Sequence, residues 1–214
     1  MNGVIKMAWL DQRSFRQTLS VYGTLLLVLF MLSFAGLSLF VSGVTAAWLM
    51  ALMLMGIFAV QEKNGLERLY ATLALSDREV VAGRYLFMFV HYALALGLAM
   101  LLALFVSLVQ GVAVDGAQVC AGVGASVFLF TLLVGIQTPI YFTVGYSKGM
   151  IAGLVAYVAV LLLAISTFFS DSTLSMLQNL AQHPVVLLFV SFMASALMLG
   201  FSYRFSLKNY RDFM

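Results

Sequence analysis

The chain has 214 residues and a net charge of +3; 64% of its residues are hydrophobic and 9% are charged. Soluble domains are about 45–50% apolar and about 25% charged, and a soluble fold of this length leaves too much surface in water to hide so many apolar side chains. The composition excludes a soluble protein and predicts an integral membrane protein with a mean hydropathy of +1.07.

Residues 1–17 are predicted to form a short helix that lies in the membrane interface. Its apolar residues can share one helical face and its basic residues reach water, with an indole at headgroup level. The apolar face consists of Val4, Ile5, Ala8 and Trp9. A frayed tail is the alternative.

Long stretches without Asp, Glu, Lys or Arg predict the membrane spans, since a helical span needs about 20 mostly apolar residues. The first stretch, residues 17–61, accommodates two spans joined by a hairpin, which we place at Ser42 and Gly43. Four further stretches hold one span each. The predicted fold is an all-α polytopic membrane protein with six transmembrane helices, at residues 19–41, 44–60, 84–109, 117–140, 150–169 and 184–203.

The distribution of basic residues predicts the orientation. In the six-span arrangement all 11 Lys and Arg residues fall on one side, whereas the opposite loops contain only Asp115, Asp171 and His183 as titratable groups. The positive-inside rule makes the basic side cytoplasmic, and an even number of spans then places both termini in the cytoplasm. The net charge therefore reports topology and contact with anionic lipid, with no indication of nucleic acid.

The loop at residues 61–83 contains a predicted amphipathic helix. An apolar stripe recurs at helical spacing, with Glu67 and Arg68 off the stripe; it consists of Leu66, Leu69, Tyr70 and Leu73. Ser76 and Glu79 have the spacing of a capping box, so the next helix begins at Ser76 and runs into the third span. Such a helix offers the same face to lipid or to a protein groove, so a plain connector and a docking element for a cytoplasmic partner both remain open.

The loop at residues 141–149 is short. Pro139 ends or kinks the fourth span just before it, and Gly145 and Gly149 permit tight turns. The outer loop at 171–183 has room for one or two helical turns, and residues 204–214 form a basic aromatic anchor.

The predicted spans contain no acidic or basic residue in their interiors, which argues against a proton-coupled or sodium-coupled transporter. His91, Gln137 and Thr138 are candidates for a pathway or gate, although each can equally bond within the bundle. The sequence has no His-Glu-x-x-His metal motif, no Gly-x-Ser-x-Gly nucleophile turn and no phosphate-binding loop. It predicts neither catalytic residues nor a metal site in this chain.

Three stretches resemble the membrane subunits of bacterial ABC type-2 exporters, which are six-span permeases without a fused ATPase. Residues 62–85 are similar to the coupling segment that follows the second span in that family. Residues 138–149 resemble its Pro-hydrophobic-Tyr-Phe-x-Phe-Gly-x-x-Lys-Gly loop, and the tail at 202–211 is similar as well. The chain departs from the family at Ala74, where proline is frequent, and at Asp77, which is inserted into the usual Ser-Arg spacing.

The resemblance implies that residues 1–214 form a single transmembrane permease domain. The N-terminal interfacial helix and a cytoplasmic coupling helix between spans 2 and 3 would both belong to the family's architecture. The chain would not be an enzyme and would bind no cofactor itself. ATP and Mg²⁺ would instead be bound by a separate ABC ATPase subunit, which would be present in two copies. The ATPase-coupling residues would be Leu66, Glu67, Arg68, Leu69, Tyr70, Leu73, Ser76 and Lys148.

The resemblance also implies a second permease subunit, identical or a paralogue, in the lipid bilayer of a bacterial cell (inner or plasma) membrane. The cargo would be an amphipathic peptide, such as an antimicrobial peptide, or a lipid-like molecule. Two other functions remain open. A substrate-capturing subunit of an energy-coupling vitamin importer would bind a small vitamin tightly on its own, and a passive channel or scaffold would need no ATPase.

Overall fold

The computed structural model describes residues 2–15, 18–36, 38–66, 70, 72, 75–168 and 183–213. These residues are almost entirely helical, and no strand occurs among them. The helices are α1 (Gly3–Ser14), α2 (Thr18–Phe34), α3 (Leu39–Leu54), α4 (Gly56–Asn64), α5 (Asp77–Gln110), α6 (Gly116–Phe168) and α7 (Pro184–Phe213).

Four helical stretches in the described part of the chain are long and apolar enough to cross a membrane. They are Leu39–Asn64, Asp77–Gln110, Gly116–Val160 and Pro184–Tyr210, and a shorter apolar helix covers Tyr22–Phe34. The prediction of an all-α, multi-pass membrane protein is confirmed in this form. The count of six spans and the orientation stay predictions.

Helix α6 reverses direction at Gly145, whose backbone is non-helical (φ 77°, ψ 175°). The Nε2 group of Gln137 donates a hydrogen bond of 3.1 Å to the carbonyl oxygen of Gly153. In a continuous helix these residues would lie about 24 Å apart along the axis. The ring of Tyr141 packs against Gly149 and Gly153, where a Cβ atom would collide with it. Residues 116–144 and 146–168 therefore form an antiparallel hairpin, and the two glycines serve packing within the subunit.

The predicted hairpin at Ser42 and Gly43 is wrong. The chain turns earlier, at Gly36 (φ 81°), and Ser38 precedes the first residue of α3. Ser42 and Gly43 are buried inside α3, where a Cβ atom on Gly43 would lie 3.0 Å from the carbonyl oxygen of Gly122. These small residues allow α3 and α6 to approach closely. Serine and glycine are also typical of turns, which explains the wrong prediction.

Uncharged polar side chains join the helices within the bundle. The Tyr92 hydroxyl lies 2.7 Å from Ser126 Oγ, and Ser126 donates to the Gly43 carbonyl at 2.8 Å. The Tyr85 hydroxyl lies 2.5 Å from Ser202 Oγ. Polar groups in hydrocarbon need partners inside the protein, and these bonds hold α3, α5, α6 and α7 together.

Charged side chains from several elements meet at one end of the bundle. At this end, which we call the charged end, α1, the last turn of α4, the start of α5 and the reversal of α6 meet around Asp11, Glu62 and Arg84. At the opposite end the last residue of α5 contacts the last residue of α2, since Gln110 Nε2 donates to the Phe34 carbonyl at 3.4 Å.

Candidate functional site at the charged end

A buried ion pair joins α1 to α5. The Arg84 guanidinium donates to both carboxylate oxygens of Asp11, from Nη2 at 3.0 Å and from Nε at 3.1 Å, and both side chains are fully buried. Paired donation to a carboxylate is among the strongest hydrogen-bond geometries of proteins. A buried pair of this kind is retained only when its remaining polar atoms also have partners.

The remaining donors of Arg84 reach two further elements. Nη1 donates to Gln61 Oε1 in α4, and Nη2 lies 3.4 Å from the Tyr70 hydroxyl. Tyr70 in turn donates to Asp11 Oδ1 at 3.4 Å. The guanidinium carbon lies 4.7 Å above the ring centre of Phe58, a favourable cation–π distance. One cation therefore connects α1, α4, α5 and the loop segment that contains Tyr70.

Tyr70 is the predicted coupling residue whose environment the structure defines best. Its side chain is 2% exposed, and burial raises the pKa of its phenol to about 12. The phenol therefore stays protonated near neutral pH and donates to Asp11. Tyr70 anchors its segment to the ion pair, and its role in ATPase coupling stays a prediction.

The structure places some of the other predicted coupling residues. Leu66 is half-buried and packs against the core. Ser76 caps α5 as predicted, because the Glu79 carboxylate accepts hydrogen bonds from the Ser76 amide at 2.9 Å and hydroxyl at 2.8 Å. The predicted coupling residues Glu67, Arg68, Leu69 and Leu73 lie outside the described residues.

Glu62 links the two loops that the sequence analysis singled out. Its Oε2 accepts hydrogen bonds from the backbone amides of Tyr146 at 2.6 Å and Ser147 at 2.9 Å, and its Oε1 accepts one from the Ser147 hydroxyl. These amides open the second half of α6, and a carboxylate is stabilising at a helix N-terminus. Lys148 is exposed and lines the same cavity of about 290 Å³ as Glu62.

The sequence patterns did not predict Asp11, Glu62 or Arg84 as site residues. Each carried a modest signal. Asp11 follows Met7 by one helical turn, Glu62 is the first charge after a long uncharged stretch, and Arg84 opens an apolar run. None of these signals names a partner, because the contacts join residues far apart in the chain.

Helix α1 confirms the predicted N-terminal helix but divides its apolar face. Met7 and Asp11 point into the protein, and a Cβ atom on Gly83 would lie 2.5 Å from the Met7 Cβ, so α1 crosses α5 at a glycine. Ile5 and Trp9 remain 51% and 48% exposed. They are the large apolar side chains that α1 leaves exposed, and the interfacial position of α1 stays a prediction.

The three pathway candidates are all buried. The His91 Nδ1 atom lies 2.8 Å from the Phe87 carbonyl oxygen of its own helix. Thr138 Oγ1 lies 3.9 Å from the sulfur of Met88. Gln137 bonds across the α6 hairpin, and its Oε1 has no partner among the described residues. These contacts account for their burial, and a role in a pathway or gate stays a prediction.

The fold and the charged end together define a multi-pass, all-helical membrane protein. Hydrogen bonds at its charged end join the segments between the helices to one another. The chain belongs to the ABC-2 family of transporter proteins, since the model of that family, described as "ABC-2 family transporter protein", matches residues 11–211. The family relationship predicted from the three motifs is confirmed, and membership makes the chain a permease subunit of an ABC transporter. No curated protein and no solved structure was found to match it.

Proposed function

We propose that the chain is the transmembrane subunit of an ABC exporter and that a separate ATPase subunit docks at the charged end. The docking surface comprises the segment from Leu66 to Ser76 and the reversal of α6 beside Lys148. ATP and Mg²⁺ are held by two copies of the partner, and this chain contributes no catalytic residue. The cargo is an amphipathic peptide or a lipid-like molecule.

The observation that carries this proposal is the pair of hydrogen bonds that Glu62 accepts from the backbone amides of Tyr146 and Ser147. A docking segment can drive transport only if its displacement is transmitted to the membrane-spanning helices. Through Glu62, displacement at the end of α4 pulls on the first turn of the second half of α6. Through Arg84 and Tyr70, the same displacement reaches α1 and α5.

The full topology is part of the proposal. The 53 residues of α6 would span about 80 Å if straight, against about 30 Å of hydrocarbon. Its reversal at Gly145 supports two spans, and α2 with α3 supplies the first hairpin. This gives six spans with both termini cytoplasmic in a bacterial cell membrane. A second permease, a copy or a paralogue, completes the pore.

The test is co-purification of the tagged protein from its native membrane in mild detergent. We expect a stoichiometric ATPase with a phosphate-binding loop, whose activity the permease stimulates. Lys148→Glu should reduce this stimulation, because it reverses an exposed charge beside the α6 reversal. Lys6→Glu is the matched control, since Lys6 is an exposed lysine on α1.

Two results would refute the proposal. Arrival of a scaffold protein with its ATPases would point to an energy-coupling importer, and transport without any ATPase would point to a passive channel. Equal stimulation by the Lys148→Glu and Lys6→Glu variants would remove the α6 reversal from the docking surface.

A further inference from the structure

A cavity of about 600 Å³ lies between α5, α6 and α7, away from the charged end. Its volume is in the range of small-molecule sites, about 300–1,000 Å³. The described residues that line it include no charged side chain; they are Phe89, Tyr92, Ala93, Leu96, Gly97, Met100, Val123, Val127, Thr131, Phe192, Ser195, Ala196 and Leu199. The cavity therefore suits an apolar, uncharged body, and its described lining offers no charged partner to the charged groups of an amphipathic peptide.

Two hydroxyl groups in this lining have no hydrogen-bond partner among the described residues. Thr131 Oγ1 and Ser195 Oγ are buried and accept or donate no hydrogen bond among the described residues. Their side chains are 0% and 3% exposed. An unpaired hydroxyl in an apolar surrounding is costly, whereas the Ser126 hydroxyl of the same bundle bonds both the Tyr92 hydroxyl and the Gly43 carbonyl. Because Thr131 and Ser195 line the cavity, a molecule bound in the cavity could form hydrogen bonds with both hydroxyls.

Gly97 forms part of the cavity wall. No close contact between the described helices requires a glycine at this position. A Cβ atom on Gly97 would meet no atom within 4 Å, unlike one on Gly43, Gly83 or Gly122. Glycine inside a helix is less stable than alanine, so Gly97 lowers helix stability without allowing a close helix contact. Its effect is to widen the cavity.

The two hydroxyls lie near the middle of the bundle. Counted from the starts of α6 and α7, Thr131 and Ser195 lie about 22 Å and 16 Å along their helices. A resident phospholipid keeps its ester groups at the interface, about 15 Å from the centre of a 30 Å hydrocarbon layer. A molecule that satisfies Thr131 and Ser195 must instead carry its polar group to the middle.

We infer that this cavity is a binding site for an uncharged lipid-like cargo, with a hydrocarbon chain against Gly97 and a carbonyl or hydroxyl group held by Thr131 and Ser195. The assignment of this ligand as a transported cargo rests on the proposed exporter function. Within that function, the uncharged lining of the cavity favours a lipid-like molecule over an amphipathic peptide as cargo.

The test uses the tagged full chain, with the ATPase that co-purifies, in phospholipid nanodiscs without ATP. The probe is a monoacylglycerol that carries a diazirine on its chain, and labelled peptides are mapped by mass spectrometry. Gly97→Leu fills the cavity and should reduce labelling about tenfold, equivalent to about 1.4 kcal/mol. Gly23→Leu is the matched control, because Gly23 is also a helical glycine with no atom near its Cβ position, and its labelling should equal that of the wild type.

Competition separates the polar contact from the apolar one. Unlabelled monoacylglycerol should displace the probe about tenfold better than an alkane of equal length, and this preference should vanish in the Thr131→Val/Ser195→Ala variant. That variant removes hydroxyls that have no partner in the described part of the chain, so its thermal stability should not fall. Equal labelling of the Gly97→Leu and Gly23→Leu variants, or an unchanged preference, would overturn the inference.

The source of the ligand is tested in the same assay. If the nanodisc phospholipid competes as well as monoacylglycerol, the site belongs to a resident lipid and the cargo assignment fails. The result is independent of docking, since labelling needs no ATP. Intact labelling without a co-purifying ATPase would refute the exporter function alone, and a bound ATPase without labelling would refute this site alone.

Discussion

Replacing Arg84 by methionine should be one of the most destabilising single changes at the charged end. The substitution leaves the Asp11 carboxylate fully buried without its bidentate partner. Removing one member of a buried ion pair costs about 3–5 kcal/mol. For a chain of this length 1 kcal/mol corresponds to about 2–4 °C in Tm, so the expected decrease is about 6–20 °C. Asp11→Leu should have an effect of similar size, because it leaves the Arg84 cation buried.

The assay is thermal unfolding of the purified variants in one detergent. Arg78→Met is the matched control, since Arg78 is an exposed arginine on the same helix and such changes usually stay within about 0.5 kcal/mol. The Asp11→Leu/Arg84→Met double variant should be more stable than the sum of the single effects predicts, because neither charge is then left alone. Single variants as stable as Arg78→Met, or additive effects, would refute the reasoning.

Three further predictions concern local geometry. The two glycine predictions use the same stability assay, and the Glu62 prediction uses stimulation of the partner ATPase. Gly145→Ala should cost about 1–3 kcal/mol because its φ of 77° is unfavourable for any residue with a Cβ atom, and an unchanged Tm would argue against the reversal of α6. Gly122→Ala should cost about 1–3 kcal/mol by placing a Cβ 2.9 Å from the backbone of α3, whereas Gly23→Ala should stabilise by up to about 1 kcal/mol. Glu62→Gln should leave the fold intact but reduce stimulation of the partner ATPase, and Lys63→Gln should not; equal stimulation by both variants would exclude Glu62 from coupling.

Local sequence signals predicted the local features of this structure. The α1 helix, the start of α5 after Ser76 and the turn at Gly145 follow from apolar periodicity, capping chemistry and glycine placement. The error at Ser42 and Gly43 has a physical cause. Glycine permits both a turn and a close contact between helices, and only the neighbouring helix, here through Gly122, decides between the two uses.

The candidate site depends on contacts that no local pattern encodes. Asp11 and Arg84 are 73 residues apart, and Glu62 and Ser147 are 85 residues apart. The positive-inside rule treats Arg84 as a charge that reaches water at the end of a span. Its complete burial follows from the way α1 crosses α5 at Gly83, which a single sequence does not specify.

Helix α5 connects the charged end to the cavity. It carries Arg84, which is bonded to α1, α4 and Tyr70, and about 20 Å further along the same helix it carries Gly97 in the cavity wall. Helix α5 is continuous between Arg84 and Gly97. Under the proposed function, an ATPase that displaces the segment beside Tyr70 must therefore either break the Arg84 network or tilt α5. Because the network is buried and bonded on several sides, we expect α5 to tilt, and tilting would change the width of the cavity at Gly97.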